Sequence, residues 1–140
     1  MADAYWEHYE HQADIGVRGI APTLAGAFEQ AAMAMMAVVC DPADIATDTP
    51  VSVECHAPDP ELLLMDWLNA LVYEIATRKL LFGRFEVHIT DGHLQATAWG
   101  EPVEVTRHQP VVEIKGATFT TLAVRQREDG LWQAQCVVDV

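Results

Sequence analysis

A chain of 140 residues, half of them hydrophobic, fits one domain and is long enough to bury a core without disulfide or metal staples. Twenty-one acidic residues against eight basic ones leave a formal charge of −13, which argues against direct nucleic-acid binding because phosphate backbones are met by clustered Lys and Arg. The same balance favours cations and basic protein partners.

Residues 5–20 read as a short strand, a break and a second strand around Ile15 to Ile20. The stretch Glu10-His11-Gln12-Ala13-Asp14-Ile15-Gly16-Val17-Arg18-Gly19 holds a carboxylate, Asp14, between apolar neighbours. Burying a carboxylate is costly unless a cation or hydrogen-bond donors meet it. Gly16 lets the backbone turn, or another group approach, where a side chain would block the way. Thr23 reads as an N-cap, followed by a helix over Leu24 to Val39 that stops before Asp41-Pro42. That helix is apolar on nearly every face and is therefore expected to be buried. Met33, Met35 and Met36 are read as gap-filling core rather than an adaptable partner surface.

Asp41 to Pro50 is an acidic loop without the Gly and terminal Glu of an EF-hand. Val51 to Ala57 alternates like a strand. Asp59 then caps a second helix with Pro60 at its first position, running to about Lys79. Leu64, Trp67, Leu68, Leu71 and Ile75 recur at helical spacing as its buried stripe. Asp91-Gly92 joins Phe85–Thr90 to His93–Trp99 as a hairpin. Val111–Lys115 and Thr118–Arg127 read as further strands, and Glu128-Asp129-Gly130 turns into a last strand, Leu131–Asp139. This order implies an α+β fold: a single-domain layer sandwich over residues 1–140, two helices on one face of a mostly antiparallel sheet.

Cys40, Cys55 and Cys136 are scattered and odd in number, which suits buried thiols in a reducing compartment better than disulfides or zinc. Met1 to Glu10 lacks the basic and apolar blocks of a signal peptide. The longest apolar run, Ala31 to Cys40, falls far short of the roughly 18 residues of a membrane helix. A cytoplasmic protein without membrane contact is expected.

Among chemical groups, His8, His11 and Asp14 recur every third residue, but on a strand neighbouring members point to opposite faces, so no zinc site is expected. Asp66 and Glu74 stand two turns apart on the second helix. Asp66, between Met65 and Trp67, is expected to be partly buried, as a functional acid or one bonded to a nearby backbone or basic group. Gly100-Glu101-Pro102 with Arg107-His108 reads as a solvated connection carrying both charge signs, the functional alternative being Arg107 and His108 facing an acid or a phosphate. Lys115 is one of few basic residues, either an edge-strand charge or a cation lying over an acidic site at Asp14 or Asp139. If the last strand is central to the sheet, Asp139 and the terminal carboxylate offer hard oxygen ligands with Asp14, suited to Ca2+ or Mg2+ rather than zinc. Spacing alone does not bring these two ends together. No nucleophile–base pair, Gly-rich phosphate loop or HExxH is present.

Several motifs in order carry a resemblance: Glu10-His11-Gln12-Ala13-Asp14-Ile15-Gly16; Leu64-Met65-Asp66-Trp67-Leu68-Asn69 with Leu71 and Tyr73; Ala98-Trp99-Gly100-Glu101-Pro102; Arg107-His108; Glu113-Ile114-Lys115-Gly116-Ala117-Thr118-Phe119; and Trp132 to Val140. In this order and spacing the chain resembles the archease family over nearly its whole length. The resemblance implies a small cytoplasmic accessory protein rather than an enzyme. Its partner would be the GTP-dependent RNA ligase of tRNA splicing and RNA repair, whose guanylylation and multiple turnover it promotes. The alternative it implies is a chaperone for a tRNA cytosine methyltransferase. It further implies a metal site on Asp14, Asp139 and the terminal residue Val140 for Ca2+ or a similar divalent ion such as Mg2+, and ties Asp14 and Lys115 to ligase activation. The chain departs from the family's usual residues at Gln12 (Thr), at Gly116 (Ala) and at Thr118-Phe119-Thr120 (often Thr-Tyr-His). Two rival readings are a general chaperone using the Met-rich helix or acidic surface, and a metal-dependent hydrolase using Asp14, Asp66 and His108.

Overall fold

The computed structural model describes residues 4–140, so the reading of residues 1–3 lies outside it. Two antiparallel sheets enclose the helices. In the first sheet, β1 (Tyr5–His11), β2 (Asp14–Ala21), β8 (Trp132–Asp139) and the short β6 (Gly116–Ala117) lie in that order, and β7 (Ala123–Gln126) also pairs with β8. The second sheet orders β3 (Thr49–His56), β5 (His93–Pro102) and β4 (Leu80–Thr90). The α+β class and the antiparallel pairing are as the sequence implies, but the strands divide between two sheets.

The division follows from the first helix. α1 (Leu24–Val39) packs on β1, β2 and β8 on one side and on β4 on the other. A helix with a sheet on two sides has almost no solvent face, and this is what an all-round apolar sequence requires. Met35 and Met36 are fully buried. They fill the core, and the helix offers no open Met-rich surface. At Gly19 an added Cβ would lie 2.2 Å from both the Ala27 carbonyl oxygen and the Ala31 nitrogen, so β2 and α1 meet main chain to main chain.

α2 (Pro60–Arg78) is capped by Asp59, whose carboxylate accepts the Leu62 N–H at 2.9 Å, and ends at Lys79 in the left-handed region (φ 57°). It lies against β3, β4 and β5 of the second sheet and reaches β6 and β7 of the first. Trp67, fully buried, joins the layers: its Nε1–H donates to the Phe28 carbonyl of α1 at 3.0 Å and its ring meets Phe85 of β4 edge-on.

Three expectations shift. β4 starts at Leu80, directly after the helix cap, with a register irregularity between Phe82 and Arg84. β5 continues to Pro102, so Gly100-Glu101-Pro102 is strand rather than connection. Val111–Lys115 pairs in no ladder, and only Ala123–Gln126 of Thr118–Arg127 is strand. The three cysteines are free; burial pushes the Cys136 thiol up to about 12 and the Cys55 thiol up to about 11, leaving both neutral. Among the described residues no helix is long and apolar enough to cross a membrane.

Candidate functional site

The β1–β2 hairpin turns through Gln12, held at φ 53°, and Ala13, and is closed by the facing pair His11 and Asp14. Below the tip, polar side chains on the outer face of the sheet interlock. Arg18 donates to Glu7 and to Gln135, both at 2.8 Å, and stacks over the Tyr9 ring at 4.5 Å. That ring lies over Gly16, where a Cβ would come within 2.2 Å of it, so a close approach is indeed what the glycine permits. The Tyr9 hydroxyl is hydrogen-bonded to Thr121 at 2.6 Å. His8 points to the opposite face and bonds the Ala34 carbonyl of α1 at 2.7 Å. The histidine–histidine–acid series is thus split between faces, as strand geometry requires.

The β2–β8 ladder ends with Ile15 paired to Val138, and Asp14 and Asp139 lie one step beyond that pair on the two strands. On the far side of β8, Gly116 of β6 faces Asp139, and the Lys115 N–H donates to the Asp139 carbonyl at 2.8 Å. One row across the sheet therefore reads His11, Asp14, Asp139, Gly116. Asp14 is half-buried, Asp139 and Lys115 are exposed, and Val140 packs partly against the core. Among the described residues neither carboxylate nor the Lys115 ammonium takes part in an ion pair, so Lys115 joins this row through its backbone. No group of three His, Cys, Asp or Glu among the described residues is arranged as a metal cage.

β6 is held from above by a residue to which the sequence reading gave no role. Asn69 of α2 accepts the Ala117 N–H at 2.9 Å and donates to the Ala117 carbonyl at 3.4 Å, acting as the missing strand neighbour of a two-residue edge. Its signal was a polar amide inside the apolar run Leu68-Asn69-Ala70-Leu71.

The solvated-connection reading of Glu101, Arg107 and His108 is overturned. Glu101 keeps only 13% of its side chain exposed and His108 none. The Glu101 carboxylate accepts from the Arg107 guanidinium, from the Ala46 N–H at 2.6 Å and from His108 Nε2 at 2.9 Å. Nδ1 of His108 accepts the Glu104 N–H at 2.8 Å, which fixes the proton on Nε2. The partners of Glu101 come from a loop more than 50 residues earlier and from the single turn α3 (Val105–His108), which local sequence does not announce. Arg107, then Ala46 and His108, hold the Glu101 carboxyl down at about 2. A carboxylate with a lowered folded-state pKa stabilises the fold above its unfolded value of about 4.3 and loses that contribution as pH falls toward 2. Glu101→Gln is expected to flatten the acid limb of the stability–pH curve over that window and to lower stability at pH 7. Denaturant titrations at pH 7, 4 and 3 read both; equal loss at all three would show the charge to be irrelevant.

Two further expectations are corrected. Asp66 is exposed on α2 rather than partly buried between its apolar neighbours, because Met65 and Trp67 turn inward while it turns out. Glu74 pairs with Arg78 one turn on. His108 has both ring nitrogens engaged inside a closed network, and this leaves the Asp14, Asp66 and His108 set without a free base.

Residues 6–140 match the model of the Archease protein family (MTH1598/TM1083). The chain is 38% identical to Protein archease of Pyrococcus furiosus over 139 residues, covering 96% of this chain and 98% of that one. It is 36% identical to the protein of that name from Methanosarcina acetivorans, covering 96% and 95%. The chain belongs to the archease family. Its fold agrees: the solution structure of Methanobacterium thermoautotrophicum protein 1598 superposes with a TM-score of 0.84 at 32% identity, over 96% of this chain and 98% of that one. Of the positions singled out in the sequence, Gly116 lies in the row just described, facing Asp139. At Gly116 an alanine methyl would meet only Asn69 Oδ1, at an ordinary 3.4 Å, so the site accommodates either residue.

Proposed function

We propose that this archease is a non-catalytic accessory protein that activates a GTP-dependent RNA ligase in the cytoplasm, promoting its guanylylation and repeated turnover. The site of action is the row at the β1–β2 tip, with a divalent cation held by Asp14, Asp139 and the carboxylate of Val140. The observation that carries the reading is the β2–β8 register, in which Asp14 and Asp139 lie one step beyond Ile15 and Val138 on adjacent antiparallel strands, with neither carboxylate in an ion pair among the described residues. Like charges facing across a ladder are destabilising. A hard divalent ion, Ca2+ or Mg2+, neutralises such a pair and accepts an all-oxygen donor set. The chain's own part is to hold the ligands: β8 lies between β2 and β6, so both its edges are tied, and Asn69 fixes the segment that brings Lys115 alongside.

A charge of −13 supports action on the enzyme rather than on its RNA. In this reading the acidic tip docks by the ligase's basic active site, and Lys115 supplies a positioned cation beside it.

The test uses limiting ligase, GTP and excess RNA ends. The parent chain should raise product well beyond one ligation per ligase. Asp14→Ala should lower that stimulation by roughly 10–100-fold, the scale seen when groups that tune a metal site are removed, while its far-UV circular dichroism stays that of the parent. Undiminished stimulation by the folded Asp14→Ala protein sinks the reading.

A further inference from the structure

Val111–Lys115 has the alternation of a strand but no strand beside it. Val111, Glu113 and Lys115 are exposed, Val112 is half-buried and Ile114 is only 8% exposed, which is the period-two pattern of an extended segment. Two of its amides are fixed: Val111 N–H donates to the Val39 carbonyl at 2.9 Å and Lys115 N–H to the Asp139 carbonyl at 2.8 Å. Residues an even number apart in an extended chain turn their amides to the same edge. The amides and carbonyls of Val112 and Ile114 therefore face the other edge, where among the described residues no backbone partner meets them.

Beside this segment lies a cleft of about 460 Å3, floored by Val72, Ile75 and Ala76 of α2 and closed by Val112 and Ile114, with Lys79 and Glu113 at its lips. An unpaired edge with β-forming residues is a template for another strand. When an extended segment adds to such an edge, main-chain bonds give affinity and a pocket for alternate side chains gives specificity.

We propose that this edge receives an extended segment of the partner enzyme as an added strand, with one apolar side chain of that segment seated in the cleft. The inference rests on the proposed function, and it names the surface by which the partner is held. Three observations choose a partner's strand over other occupants: the orphaned Val112 and Ile114 edge, the apolar cleft on its flank, and the net charge of −13, which favours a segment with basic residues over a second copy of this acidic chain. The segment continues directly into Lys115 and its bond to Asp139, so a strand added here stiffens the same row that the cation occupies.

The experiment uses the full chain and purified GTP-dependent RNA ligase. Amide hydrogen exchange is followed with and without the ligase, and affinity is measured for the parent, Val112→Pro and Ala76→Trp. The Val112 amide is unbonded in the free protein, so proline removes the donor without breaking a native bond; tryptophan at Ala76 fills the cleft. Ligase is expected to slow exchange at Val112 and Ile114, and each variant to weaken binding by about tenfold, the upper end for one net hydrogen bond or a blocked anchor. If either variant fails to fold, the exchange pattern of the parent and the other variant decide. Ligase binding that leaves these two amides unslowed and both variants unimpaired overturns the inference while the proposed function stands. A parent chain that does not bind the ligase overturns both.

Discussion

Trp67→Ala is expected to cost about 3–5 kcal/mol of unfolding free energy, the range for deleting a buried aromatic side chain. That is a large share of the roughly 5–15 kcal/mol that separates most domains from their unfolded chains. The reason is position as much as size. Trp67 is fully enclosed, touches Phe85 of the second sheet with ring centroids 5.9 Å apart, and bonds the Phe28 carbonyl of α1. One side chain thus ties α2 to the central helix and to the sheet below. Trp67→Phe separates the contributions, since it keeps most of the ring burial and gives up the hydrogen bond, a net loss of about 1–2 kcal/mol plus a small void. Urea titrations should show both variants moving the midpoint with little change in slope. A loss under about 2 kcal/mol for Trp67→Ala would mean that the surrounding layers close over the gap and that the tie is not made there.

Calcium should stabilise the parent protein, and Asp14→Asn should reverse the sign of the comparison. At a free ion concentration about 100 times the dissociation constant, binding to the folded state alone adds about 2.7 kcal/mol. Without divalent ions, like charges at Asp14 and Asp139, one step beyond Ile15 and Val138 on adjacent strands, are expected to repel, so Asp14→Asn should melt higher than the parent in EDTA. If the proposed site holds the ion, the order is expected to invert in calcium, because the variant lacks one of its ligands and gains little. Thermal unfolding in EDTA, calcium and magnesium reads the crossing directly. A parent whose melting temperature ignores both ions, or a variant that gains as much as the parent, removes Asp14 from any cation site.

What was legible in the sequence was local. Thr23 and Asp59 cap their helices as their side chains suggest, each accepting the amide three residues on, and Asp91-Gly92 makes the hairpin its residue types demand. The apolar girth of Leu24–Val39 announced burial, yet one chain segment cannot say that it will lie between two sheets. The candidate site was half legible. Asp14 showed as a carboxylate in want of company, but its neighbour Asp139 arrives from the other end of the chain through a ladder that no spacing encodes. The family resemblance implied one site for both, and the ladder sets their strands side by side. Glu101 misled for the opposite reason: glycine before it and proline after it look like a turn, while the groups that enclose it come from Ala46, Arg107 and His108. Val111–Lys115 has strand chemistry without a strand partner, and pairing is a property of two segments.

The middle strand of the first sheet has a consequence for the order in which the protein comes into being. β8 follows every other strand in the chain, yet it lies between β2 and β6 and also pairs with β7. On the ribosome, the β1–β2 hairpin must therefore wait with one edge of β2 bare until β8 emerges, an interval when stray pairing with other chains is the hazard. Closing a span from Asp14 to Asp139 is also a slow entropic step, of the kind that sets folding rates in sheets with distant pairings. Asp14 and Asp139 come side by side only once β8 has paired with β2, so their juxtaposition marks a first sheet that has finished folding.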